Sequence, residues 1–214
     1  MQDRPIVVMA ALAATLLVSG CAVTRSEVKL GAGPAVAATA VASGKSVAIG
    51  KVVDARRFEA SPREPSTPSL GSEGGGDATR ARAIGRKRNT YGMALGDVLL
   101  EPGQTVAGVV REHFVVALRD AGYRVVDAGT GGVPVIDVDI QQFWSWVTPG
   151  FFAITVSTLV ATDVTVAGRA TPVSVRVTNQ ESALAVTDGT WTEAIDKAMA
   201  KWRADVVARR SELP

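Results

Sequence analysis

Few side chains in this 214-residue chain are equipped for chemistry, and their types narrow what it can do. One cysteine and one histidine leave too few soft or imidazole donors for a metal centre and too few nucleophile–base pairs for covalent catalysis. His113 falls on the apolar side of a helical pattern beside valines, where a buried, hydrogen-bonded imidazole is the expectation. Asp137 and Asp139 share one parity of a strand pattern, which suits the solvent face better than a calcium site. The glycines at 71–76 lack the Lys-Ser or Lys-Thr ending and the preceding strand of a phosphate loop. Cys21 differs, because it directly follows the small residues Val18, Ser19 and Gly20 at the end of an apolar run.

That run, Ile6 to Gly20, is uncharged and follows Arg4, as a targeting segment does; at fifteen residues it falls short of the ~20 needed to cross a bilayer. The stretch Val18-Ser19-Gly20-Cys21 resembles the lipobox of bacterial lipoproteins. The resemblance implies cleavage before Cys21 by a signal peptidase that recognises the three small residues, and a diacylglyceryl group on the Cys21 thiol. Ala22 stands where an Asp would resemble an inner-membrane retention signal, so outer-membrane delivery, to the periplasmic leaflet, is implied. Acyl chains contribute about 0.8 kcal/mol per buried CH₂, so two or three of them hold a protein to the bilayer permanently.

Two further clusters are candidate contact surfaces. Arg80, Arg82, Arg86, Lys87 and Arg88 place five cations in nine residues, a group able to bind phosphate, anionic lipid or an acidic partner, or simply to solvate a loop flank. Phe143, Trp144, Trp146, Phe151 and Phe152 place five of the eleven aromatics within ten residues. Strand alternation puts Trp144 and Trp146 on the face of Val138 and Ile140, and Phe143 on the other. A hairpin tip apolar on both faces needs cover from its own chain, from the terminal helix or the 59–77 loop, or a partner; Trp144, Trp146, Phe151 and Phe152 are the candidate contacts. Net charge is only +2, which with a periplasmic address argues against nucleic acid.

The elements that must carry these groups follow from periodicity. Residues 1–20 form the signal peptide and 21–44 a small-residue tether, with room for one short strand near Val28–Leu30. A single domain over 45–210 follows. A strand spans 46–54, with Lys51 breaking its pattern, and a disordered or surface-loop insertion covers about 59–79. Residues 95–100 form a short strand. A helix from Gln104 or Thr105 to Ala121 aligns Val106, Val109, Val110, His113, Ala117 and Ala121, and Gly122 stops it. A short strand at 123–127, a long hairpin about Thr148-Pro149-Gly150 and a strand from Val173 come next. A last helix from about Trp191 to Arg209 is capped by Thr190 and Glu193 and aligns Trp191, Ile195, Ala198, Met199, Trp202 and Val206. This order predicts an α+β fold, a two-layer sandwich of mostly antiparallel sheet with two helices on one face.

With the Ser46–Arg57 strand, the stretch Ile84-Gly85-Arg86-Lys87-Arg88-Asn89 and the helix end Arg119-Asp120-Ala121-Gly122-Tyr123-Arg124-Val125-Val126 in place, the chain resembles the YajG-like family of bacterial lipoproteins from Cys21 to about Arg210. The 59–77 insertion is longer than that family's pattern. The resemblance implies an outer-membrane lipoprotein without catalytic residues or cofactor, acting as a binding or scaffolding module on an envelope protein partner. The element order is similar, too, to auxiliary lipoproteins of ABC-type and MCE-type lipid transport systems, which implies the alternative of a lipid-handling accessory subunit.

Overall fold

β-Branched residues dominate the segments that become strands, and two apolar stripes at helical spacing supply their cover. A computed structural model describes residues 25–31, 44–71, 76–89 and 91–214. The elements are β1 (Ser26–Val28), β2 (Ser46–Asp54), α1 (Asp77–Arg82), β3 (Ala83–Arg88), β4 (Ala94–Leu100), α2 (Val106–Asp120), β5 (Arg124–Val126), β6 (Val135–Pro149), β7 (Ile154–Val166), β8 (Val173–Ala183) and α3 (Asp188–Ala208), with a 3-10 turn over Arg210–Glu212. Among the described residues this is a mixed α/β fold of one eight-stranded sheet and three helices.

β6 is the spine of the sheet. One edge pairs along its whole length with β7, which pairs in turn with β8, both antiparallel. The other edge is divided. Its first half, through Ile140, takes β2 in parallel, and β2 takes β5. Its second half meets β3 in parallel at Ser145, and β3 leads to β4 and then β1. The expectation of mostly antiparallel pairing therefore describes the long hairpin interfaces and β3–β4, while the remaining interfaces are parallel.

Both long helices bury their stripes in the same core. Val106, Val109, Val110, His113, Phe114, Ala117 and Leu118 of α2 are buried, as are Trp191, Ile195, Ala198, Met199, Trp202 and Val206 of α3. Phe114 and Trp202 meet with ring centroids 6.0 Å apart. The Trp202 indole N–H donates to Thr162 Oγ1 at 3.0 Å, so the ring is buried without stranding its donor. Thr105 caps α2 through the Gly108 amide, and Gly122 leaves it with φ 92°, as its lack of a Cβ permits. The cap of α3 lies one turn earlier than Thr190 and Glu193: Thr187 is the N-cap and Thr190 the reciprocal partner.

Three expectations need correction. First, residues 26–31 belong to the fold rather than to a tether: β1 joins the sheet edge, Val28 and Leu30 are buried, and the Gln104 side chain bridges the Leu30 N–H and carbonyl. Residues 32–43 lie outside the described residues. Second, the charged stretch 83–88 is a strand in the sheet interior, with Gly85 so close to β6 that a Cβ there would meet the Ser145 carbonyl oxygen at 2.8 Å. Third, the register of β6 against β7 shifts between Ile140 and Gln142. This bulge reverses strand parity. Phe143 consequently joins Ile136, Val138 and Ile140 under the helices, and Trp144 and Trp146 turn to the opposite face instead of sharing that of Val138 and Ile140.

Candidate functional site

The basic stretch is largely taken up by the fold. Arg82 donates from Nε and Nη2 to the Leu100 carbonyl, at 2.8 and 2.6 Å, and pairs with Glu27. Arg86 lies 3.7 Å from the buried Asp97 carboxylate, which also draws Arg25 to 3.7 Å and accepts the Gly71 N–H. Arg88 donates to Ser69 Oγ and to the Gly92 carbonyl, both at 3.0 Å. Burial, and then the neighbouring Arg86 charge, lower the Arg88 pKa from its ordinary value. Arg80 is half exposed on α1, 4.0 Å from Asp77. Lys87 falls on the strand parity opposite Arg86 and Arg88. Arg82, Arg86 and Arg88 thus go to different protein acceptors instead of converging on one anion.

The aromatic group is split three ways. Phe143 is core under the helices, and Trp144 is fully buried on the other face. There Phe58 meets the Trp144 ring edge-on at 6.0 Å, Leu70 packs beside it, and its indole N–H donates to the Pro65 carbonyl at 3.1 Å. The 55–71 segment, irregular in path, is therefore the cover for this face, closed on itself by the Glu59 N–H to the Pro68 carbonyl. Trp146 is partly buried at the edge of this cluster. Phe151 and Phe152 remain outside, 93% and 86% exposed, in edge-on contact with each other at 4.6 Å.

Sequence reasoning missed the side chain that lets the sheet divide. Arg56, directly after β2, fills the gap between β2 and β3 on the edge of β6. Its Nη1 donates to the carbonyls of Ala83 (2.6 Å) and Phe143 (2.9 Å), and Nη2 to that of Arg80 (2.9 Å). Nε and Nη2 also grip the two Asp54 oxygens, at 2.7 and 2.6 Å. The stretch Asp54-Ala55-Arg56 at a strand end is the only local hint; the carbonyls that Arg56 serves come from distant segments.

His113 and Asp137 have structural partners. His113 accepts a hydrogen bond from Arg203 Nη1 at 2.7 Å on Nδ1, which leaves Nε2 to donate to the Gly31 carbonyl at 2.9 Å. Both ring nitrogens are engaged, so the imidazole has no lone pair for proton abstraction or a metal. Burial pushes its pKa below the ordinary 6.5; the Gly31 bond works against this and the Arg203 charge adds to it. His113 and Arg203 border an open cleft along α3 that Asp196 and Lys197 also line. Burial raises the Asp196 carboxyl. Asp137 accepts the Lys51 N–H at 2.7 Å where β2 shifts register, which is why Lys51 breaks the alternation of that strand. Val18, Ser19, Gly20 and Cys21 lie outside the described residues.

No family model matches the chain, and no curated protein does. Among solved structures, protein XCC0632 from Xanthomonas campestris, described with the family model DUF330, is similar at 10% identity over 86% of this chain and 90% of its own, with a TM-score of 0.47. A crystal structure described as that of an uncharacterized protein is similar at 8% identity over 79% of this chain and 100% of its own, with a TM-score of 0.38. Neither likeness assigns the chain to a family.

Proposed function

We propose that this chain is a lipoprotein of the bacterial cell envelope, held by acylated Cys21 in the periplasmic leaflet of the outer membrane. Its α+β body, a two-layer arrangement of YajG-like type, is a non-catalytic module that binds or scaffolds another envelope component. The observation that carries this reading is the uncharged run Ile6–Gly20 ending in Val18-Ser19-Gly20 before the only cysteine. Cleavage before Cys21 is compatible with the fold, since the first described strand begins at Ser26. Mass analysis of the mature N-terminal peptide tests the anchor, with membrane fractions separated by density: a diacylglyceryl adduct on Cys21 in the outer-membrane fraction is expected. A soluble protein with a free thiol sinks the proposal.

A second reading is an auxiliary subunit of an envelope lipid-transport system of the ABC or MCE type. The exposed Phe151 and Phe152 favour it, because rings without cover at a hairpin tip suit an acyl chain. Native mass spectrometry after gentle extraction separates the two: co-purified phospholipid supports the transport subunit, and a stable protein partner without lipid supports the scaffold.

A further inference from the structure

The two ends of the sheet differ in what they expose. β3 and β4 run antiparallel, β6 runs with β3, and β7 and β8 alternate from it. Strand direction therefore gathers three connections at one end: the β3–β4 turn, the β6–β7 turn, and the segment 184–187 leading into α3. Six large hydrophobic side chains are strongly exposed among the described residues, and five of them, Tyr91, Met93, Phe151, Phe152 and Leu184, lie in these three connections. Single exposed apolar residues are ordinary, but this concentration at otherwise polar positions marks a contact surface. Charges of both signs border it, Arg88 on β3, Glu181 on β8 and Asp188, which accepts from Ser26 Oγ of β1, so the rings and not electrostatic attraction define what it fits.

The same end is where the anchor must lie. β1 runs parallel to β4, so the chain preceding Ser26 leaves toward this end. Ser26 stands beside Val98, Val98 beside Gly85, and Gly85 beside Ser145. From Ser145 the β6 strand continues four residues to Pro149, about 13 Å at ~3.3 Å each. The five steps from Ser26 back to Cys21 span at most about 17 Å. An acylated Cys21 can reach the level of the β6–β7 turn and little beyond it.

We infer that Phe151 and Phe152, with Tyr91, Met93 and Leu184 around them, rest in the headgroup region of the bilayer leaflet that holds the anchor. The lipid surface is thus one of the envelope components this module binds. The inference rests on acylation at Cys21: so short a connection leaves the domain no height at which to stand clear of the membrane.

Acylation consumes the only thiol, so a single new cysteine can be labelled in the full acylated protein. Phe152→Cys and, at the opposite end in the exposed β7–β8 turn, Ala170→Cys each receive a nitroxide, in vesicles of phosphatidylethanolamine and phosphatidylglycerol. Oxygen accessibility relative to that of a water-soluble nickel complex should be several-fold higher at 152 than at 170. A Phe151→Asp substitution in the Phe152→Cys protein should lower that ratio without changing the melting temperature. A ratio at 152 equal to that at 170, in protein whose Cys21 adduct is verified by mass, overturns the inference while leaving the anchor intact. Shielding of 152 from both reagents overturns it in favour of a second copy of the chain. An unmodified Cys21 is the failure of the anchor itself, seen as a second labelled thiol.

Discussion

Replacing Arg56 by Met tests whether one buried cation holds the divided sheet together. Met keeps most of the apolar stem but deletes the guanidinium, whose side chain is fully buried and whose partner Asp54 is 20% exposed. The Phe143 and Ala83 carbonyls lose their bonds to Arg56 in a site closed to water, at about 1–3 kcal/mol each. The Arg80 carbonyl and Asp54 lie nearer the surface and recover part of their solvation. Breaking a buried pair by removing one partner costs about 3–5 kcal/mol, and we expect a loss in that range. At ~2–4 °C per kcal/mol for a domain of this size, the melting temperature falls by roughly 6–20 °C. Arg56→Lys should recover only part, since one ammonium cannot reach both sets of oxygens. Urea unfolding followed by tryptophan fluorescence gives the measurement, with the neighbouring exposed Arg57→Met as a control expected within about 0.5 kcal/mol. A loss below about 1 kcal/mol in Arg56→Met would refute the reasoning, since it would mean that the β2–β3 gap needs no plug.

The aromatic cluster should divide the same way in stability: Trp144→Ala is expected to cost about 3–5 kcal/mol, and Phe151→Ala less than about 0.5, in the same unfolding assay. Gly85→Ala should lower stability by about 1–3 kcal/mol, because its methyl meets a backbone carbonyl of β6 that cannot move aside alone. His113 resists protonation in the folded chain, so the unfolded chain takes the proton first. Its contribution is complete above about pH 6.5 and is lost on acidification, by at most ~1.4 kcal/mol per pH unit. Denaturant midpoints from neutral to mildly acid pH should show that slope, flattened in His113→Gln. Asp196, raised by burial, gains from acid instead, so the difference between the two proteins isolates the imidazole.

The elements most legible in the sequence are those whose signal is carried by neighbours along the chain. The α2 and α3 stripes, Gly122 as a stop and the β6–β7 hairpin are all periodic over many residues, and the fold buries the stripes as that periodicity requires. Strand β3 was obscured because Arg86, Lys87 and Arg88 mask its alternation; the acceptors that admit it to the sheet, Asp97, Ser69 and the Gly92 carbonyl, come from other segments. The side of Trp144 turned on one extra residue near Gln141, a choice made by pairing with β7 that leaves no mark in the hydrophobic pattern.

By itself, the order of residues specified an uncharged apolar run before a lone thiol, and it specified two amphipathic helices and a long hairpin because each of these depends on contacts within a few residues. Tertiary structure alone decided that Arg56 bridges the divided edge of β6, that the 55–71 segment covers Trp144, and that three turns distant in sequence expose their apolar side chains at one end. Strand direction and register bring those groups together, and both are set by pairings between segments that the chain keeps far apart.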